Sequence, residues 1–523
     1  MSSPGANPPE EAGGEPPVRG ATPEPPPTPG LRRLALLGTA VMMTQAVMSR
    51  GAAFFLQIAL AWLLTEEDFG LFSIVITVTL FSEVLKDGGV RDVLIQANRE
   101  RWGRLKTPGL WLSVLMGVIS SGLILGFSPV AAAIFELPIL PALLVYMAAE
   151  SLINATTVVP AAKLQRDMRF VDLAAADLIH RTGSLVAAVV LAWLGFGVFS
   201  FVMARPFLAA ARWGWLWWRA RPGVSWRPTY QYWGEIIRAS WYLVCITLSY
   251  RVYAYADYAI LGFFVSEAEL GLYYFAFMMA AQSVELISTN VGNVLFPAFS
   301  KIIDEPVRRR SMFLRVCRVA LGVGVPLVLL QAVCADAGVR ALFESRWYDA
   351  AAFIAVLSLG MSFRVSAGVS HVLIKADGRF GLLLVFMIGA SVTAVSLVTA
   401  TAASGGGALG VAAAMAVWSM LFGTVSMWLA CRVVGIGAVP ALRAFVRPVA
   451  VGVTACLPLW ALDVWVLLPS GWSPWPRLLL LGCVGMGMIV ALTRWLNPPA
   501  WEQCLAVARR RRGKDIADSD VLG

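Results

Sequence analysis

Arg50 and Arg251 stand near the middle of two long apolar stretches, 201 positions apart. An arginine at mid-bilayer costs roughly 2.5–3.5 kcal/mol on insertion scales, so each must face water or a partner. Arg181, Arg205 and Arg364 are equally deep by sequence. Guanidinium groups bind phosphate oxygens through two parallel hydrogen bonds. A cavity lined by Arg50, Arg251, Arg181 and Arg364 therefore suits an anionic cargo. Neither Arg50 nor Arg251 has a carboxylate three or four residues away that would neutralise it along its own helix.

Acidic residues accompany these cations. Thr79, Glu83, Lys86 and Asp87 share one helical face, Glu150, Asp177 and Asp257 lie deep in other spans, and Gln282, Glu285 and Thr289 line a further one. Asp257, Glu285, Glu83 and Asp87 are candidates for ion coupling or for the polar lining of a cavity. Other pairs read as structural. Asp177 and Arg181, four apart, form a self-neutralising pair, and Arg205 and Arg318 can snorkel along their stems. Arg251, Tyr255 and Tyr258 make a polar and aromatic stripe that serves either as cavity wall or as packing. Two histidines and seven cysteines without a CxxC pair form no metal-ligand pattern, and no cofactor is expected.

The elements that must hold these residues are helices in lipid. Of 523 residues 58% are hydrophobic and 14% charged, against about 25% charged in an ordinary soluble protein; the mean hydropathy is +0.72. A span needs about 20 apolar residues. The pattern predicts spans at 35–64, 69–95, 108–134, 141–164, 171–194, 197–219 and 235–264. Further spans are predicted at 268–299, 311–340, 349–373, 379–402, 408–431, 445–466 and 477–495. The fold class is an all-α polytopic membrane protein with about 14 crossings.

The chain also repeats itself. Residues 50–94 and 251–295 align without a gap, Arg50 on Arg251, Glu66 on Glu267, Gly70 on Gly271 and Ser82 on Ser283. Asp167-x-Arg169-Phe170 then matches Asp377-x-Arg379-Phe380 at an offset of 210. Six helices per unit give two parallel repeats related by a pseudo-twofold axis along the membrane normal. The expected division is a disordered tail at 1–30, an N-lobe at 31–228, a C-lobe at 229–434, two extra helices at 435–498 and a basic tail at 499–523.

The loops sort by charge. One set holds Arg99, Arg101, Arg104 and Lys106, then Lys163, Arg166 and Arg169, then Lys301 and Arg308 to Arg310; the alternate set includes Glu66-Glu67-Asp68 and Glu267-Ala268-Glu269. Basic loops stay cytoplasmic, so both termini are expected inside. The net charge of +10 reflects this bias and calls for no nucleic acid. No Walker motif appears, so ATP drive by this chain is not expected.

Several segments resemble the Wzx-type polysaccharide flippases of the multidrug, oligosaccharidyl-lipid and polysaccharide exporter superfamily. They are FGLFSIVITVTLFSEVLKDGGVRDVLIQ at 69–96, LQRDMRF at 164–170 and GFGVFSFV at 195–202 in the first repeat. DYAILGFFVSEAELGLYYFAF at 257–277, VLFPAFSKI at 294–302 and FESRW at 343–347 follow in the second. The resemblance covers about 40–430 and implies two lobes, alternating access and no enzyme activity. The implied cargo is a polyprenyl-pyrophosphate-linked oligosaccharide repeat unit, moved to the outer leaflet for exopolysaccharide, capsule or O-antigen assembly. The implied partners are that lipid, membrane lipid, a polymerase and a chain-length regulator. A lipid II flippase for peptidoglycan and a cation-coupled multidrug exporter share the fold and stay open. A membrane glycosyltransferase would need a long catalytic segment outside the membrane, which these short loops do not offer.

Overall fold

In the computed structural model the described residues are 48–85, 89–300, 302 and 305–511. The tail expected at 1–30 lies outside them, as do Lys86 and Asp87.

The N-lobe runs through α1 (Met48–Leu63), α2 (Glu66–Leu85), α3 (Val90–Gln96), α4 (Arg99–Ile134), α5 (Leu140–Ala155) and α6 (Val158–Arg166). It ends with α7 (Phe170–Asp177), a π turn (Leu178–Thr182), α8 (Gly183–Trp193), a 3-10 turn (Gly197–Phe201) and α9 (Arg205–Ala220). The C-lobe runs through α10 (Trp233–Leu261), α11 (Glu267–Ser300), α12 (Pro306–Val333), α13 (Ala335–Leu342), α14 (Ala350–Ala376), α15 (Phe380–Ala403) and α16 (Gly407–Val434). Then follow α17 (Ala438–Leu462), a second π turn (Asp463–Leu467), α18 (Pro474–Leu496) and α19 (Pro498–Arg511). The last is helical where the sequence suggested only a basic tail.

Among the described residues eight helices are long and apolar enough to cross a membrane, and the pair α5–α6 is a ninth, bent by 44°. The bend has a cause in the chain. Pro160 lacks an N–H and crowds the carbonyl four residues back, at Thr156, and Thr156 and Thr157 turn their hydroxyls onto the carbonyls of Ile153 and Asn154. α10 is 29 residues long but carries Arg251, Asp257 and five tyrosines, which keep it below a lipid-facing hydropathy. α1, α2, α9 and α11 fall on the remaining predicted spans, the first of which, 35–64, is described only from residue 48.

The repeat is visible in the helix starts. Thr65 Oγ1 accepts the N–H of Asp68, whose carboxylate accepts the N–H of Thr65, a capping box. In the second repeat Ser266 Oγ accepts the N–H of Glu269, and Glu269 instead caps α16 by accepting the N–H of Ala408 at 2.9 Å. Within the lobes α4 packs on α5 and α5 on α9, as α12 packs on α14 and α14 on α16. Between the lobes α2 meets α10 and α11.

The two ends of the bundle are sealed differently. At the end carrying the acidic loops, fully buried Phe69, Phe275 and Trp347 form an aromatic core, and the Trp347 indole N–H donates to Ala61 O at 2.8 Å. At the basic end Arg101 of α4 meets Glu235 of α10 at 2.7 Å. The extra helices are pinned by a buried charge cluster. Arg477 of α18 contacts Asp463 at 2.8 Å and Asp336 of α13 at 2.9 Å.

Candidate functional site

Arg50 is not alone. Its Nη1 lies 2.8 Å from Glu285 Oε2, across the boundary between α1 and α11. The expectation of an unneutralised arginine is thereby corrected: the counter-charge sits 235 residues away, where no helical spacing could find it. The side chains are 25% and 59% exposed, and an accessible charged pair between Arg50 near the described start of α1 and Glu285 midway along α11 requires water beside it, not lipid. Towards the acidic end the polar contacts continue. Gln282 donates to Gln57, Gln57 lies 3.9 Å from Met278 Sδ, and the Trp62 indole donates to Leu342 O at 2.7 Å.

A second correction concerns Asp177. It pairs with Arg212 of α9 at 3.3 Å, not with Arg181. The π turn Leu178–Thr182 begins directly after Asp177 and shifts the register of the face beyond it, leaving Arg181 exposed. Arg212 also donates to Asn154 and Thr157, and Arg91 and Arg181 lie within its electrostatic reach. Arg91 donates to Gln165 at 2.9 Å. Ser49 and Thr182 are hydrogen-bonded at 3.3 Å, and each adjoins a guanidinium, Arg50 and Arg181. Four arginines from α1, α3, the π turn and α9 thus gather on the N-lobe, with Asp177, Glu285 and, beside Arg91, Asp92 as carboxylates described against them.

Sequence reading missed Arg212 and the shared charged face of α9. Arg205, Arg212 and Arg219 are spaced seven apart and so share one face, a signal that was available. Arg205 does not snorkel; it contacts Glu150 at 2.7 Å, and His180 Nε2 lies 3.1 Å from the same carboxylate. Arg219 contacts Asp172 at 2.6 Å, and Arg169 contacts it at 2.7 Å. Lys163 and Arg169 then donate to carbonyls at the last turn of α9, where the helix dipole favours cations.

The C-lobe arginines are held by tyrosines. Arg364 donates to the Tyr253 hydroxyl at 2.9 Å and lies over its ring, while Arg251 lies 5.7 Å over Tyr255. The stripe on α10 therefore splits: Arg251 and Tyr255 are half-buried, Tyr258 is buried, and Tyr250 remains 41% exposed. Asp257 is 1% exposed and accepts from the Tyr273 hydroxyl at 2.7 Å. The side chain of Glu83, like Asp87, lies outside the described set.

Polysaccharide biosynthesis proteins match residues 59–352, more than half the chain. The chain belongs to that family. It is similar to the teichuronic acid biosynthesis protein TuaB of Bacillus subtilis, 24% identical over 71% of this chain and 77% of the relative. It is also similar to the succinoglycan biosynthesis transport protein ExoT of Rhizobium meliloti, 22% identical over 62% and 65%. Among solved structures the lipid II flippase MurJ in an inward closed conformation superposes with a TM-score of 0.69, at 12% identity over 87% of this chain and 98% of that one. An inward-facing multidrug resistance transporter of the MATE family gives 0.58, at 14% identity over 77% and 98%. At these identities the superpositions speak for the fold: a many-span helical transporter architecture. The protein is an integral membrane protein of that architecture.

Proposed function

We propose that the protein flips a polyprenyl-pyrophosphate-linked oligosaccharide repeat unit from the inner to the outer leaflet, by alternating access of two lobes at 31–228 and 229–434, without making or breaking a bond. The observation that carries this reading is the guanidinium cluster Arg50, Arg91, Arg181 and Arg212 on the N-lobe. A diphosphate brings negative charge and several acceptor oxygens, and charge-assisted bonds to it are roughly twice as strong as neutral ones. The accessible Tyr250 and the Arg251–Tyr255 pair offer the sugar an aromatic and polar wall on the C-lobe, with Arg251 and Arg364 as secondary contacts.

Family membership and the relatives named for teichuronic acid and succinoglycan biosynthesis support a role in exopolysaccharide, capsule or O-antigen assembly. The basic end is assigned to the cytoplasm of the inner (plasma) membrane, with both termini inside. A polymerase and a chain-length regulator would take over the product. An inside-negative potential favours an outgoing anion by about 2.3 kcal/mol per charge per 100 mV, so ion coupling through Asp257, Glu285, Glu83 or Asp87 is an addition to that drive. Asp257, closed off by Tyr273, suits a cationic drug poorly, which separates this reading from a multidrug exporter. Deleting the gene and identifying the lipid-linked glycan that accumulates on the cytoplasmic leaflet tests it. Accumulation of no such glycan would reject it.

A further inference from the structure

The α1–α11 seam joins the two lobes, and its polarity is graded along its length. At one end the Trp347 indole bonds Ala61 O in the core and the exposed Trp62 indole bonds Leu342 O, a glutamine pair bridges the middle, and the exposed Arg50–Glu285 pair closes the other. An ion pair in water holds weakly, because solvent screens it and both side chains lose freedom. It is the place where such a seam parts first, and the place where another anion can compete. Glu285 offers one negative charge through a flexible side chain. A diphosphate offers more charge and a bidentate face that matches guanidinium geometry.

We propose that Glu285 is a built-in stand-in for the cargo's anionic head: it holds Arg50 and clasps α1 to α11 while the cavity is empty, and the diphosphate displaces it, freeing the seam to part. This rests on the anionic-cargo reading above. Arg50 is used twice, once as half of a clasp and once as a ligand, and the two uses exclude each other. Cargo binding and seam opening are then linked, and by reciprocity whatever weakens the clasp tightens cargo binding by the same factor. A ligand without negative charge has nothing to exchange with Glu285 and leaves the seam shut.

The full chain carrying Gln57→Cys and Gln282→Cys, in neutral-lipid vesicles, reports the seam through the yield of the 57–282 cross-linked peptide. A polyprenyl pyrophosphate without sugar should lower that yield severalfold, and the uncharged polyprenol should not. Adding Glu285→Gln should lower the yield with no probe present and tighten probe binding about tenfold. The reversed pair, Arg50→Glu with Glu285→Arg, should restore the yield. If Glu285→Gln changes neither yield nor affinity while the probe still binds, the clasp is wrong and the cargo reading stands. If the charged probe binds no better than polyprenol to the otherwise unchanged protein, the cargo reading falls and the clasp with it.

Discussion

Gly70 and Gly271, matched positions of the two repeats, occupy reciprocal places across the lobe interface. A Cβ on Gly70 would collide with the carbonyl oxygen of Glu267, and one on Gly271 with that of Glu66. Each glycine thus meets the residue that matches its neighbour's contact, as a twofold relation demands. The backbones of α2 and α11 touch because neither carries a side chain there, and the aromatic core of Phe69, Phe275 and Trp347 closes around the contact.

Gly70→Leu or Gly271→Leu should hold the acidic end open. Overpacking of this kind costs about 1–3 kcal/mol, enough to shift a two-state equilibrium of lobes without preventing insertion. Export should stop, and Ser73→Cys, buried on α2, should become reactive to a membrane-impermeant maleimide. Unchanged reactivity with unchanged export would show that the contact does not gate.

Arg181 and Arg212 should separate cleanly. Arg212→Ala leaves Asp177 without its partner and should lower stability, by up to about 3–5 kcal/mol for a fully buried pair and somewhat less for this partly buried one. Arg181→Ala removes an exposed guanidinium and should leave the melting temperature unchanged while cutting polymer export about tenfold, a loss that charge-assisted bonding to phosphate accounts for. Lysine at 181 should rescue in part. The comparison needs only thermal melts in detergent and export assays.

Arg477 should be essential for stability and not for cargo. Removing it strands the buried Asp463, while Asp336 keeps its ion pair with Arg340, a loss of about 3–5 kcal/mol. Arg477→Ala should lower the melting temperature sharply, while replacement of all three by apolar residues should recover most of it. A variant as stable as the parent after Arg477→Ala alone would contradict the burial argument.

Labelling at 66–68 and at 266–269 should occur from one face of the membrane, and labelling at 100–106 and 308–310 from the other. Members of one pair found on opposite faces would overturn the parallel relation between the repeats.

Crossings and repeat were legible because apolar runs and matched residues leave linear traces. The capping box at Thr65 and the Ser266 cap belong to that class. Partners were not legible. Glu285 reaches Arg50 only after two lobes fold against each other, and Asp177 chooses Arg212 only because a π turn moves Arg181 aside. Pro160 and the spacing of Arg205, Arg212 and Arg219 were written in the chain and predict the bend of α5–α6 and the charged face of α9.

Glu150 holds α5 to α9 through Arg205. At the offset of 210 that relates Asp167 to Asp377, its counterpart is Gly360 of α14. There a Cβ would strike the backbone of Ala416 in α16, and one on Gly423 the carbonyl of Phe363. The same pair of helices is thus joined by charge in one half and by bare backbone contact in the other. The duplicated halves have become non-interchangeable parts. Grafting α5 into the place of α14 would drive a carboxylate into a backbone with no room for a methyl group, and the reverse graft would leave Arg205 without the carboxylate it holds. Whatever symmetry the ancestral pair had, its two copies now accept different substitutions, and a tolerated change in one half predicts nothing about the matching position in the other.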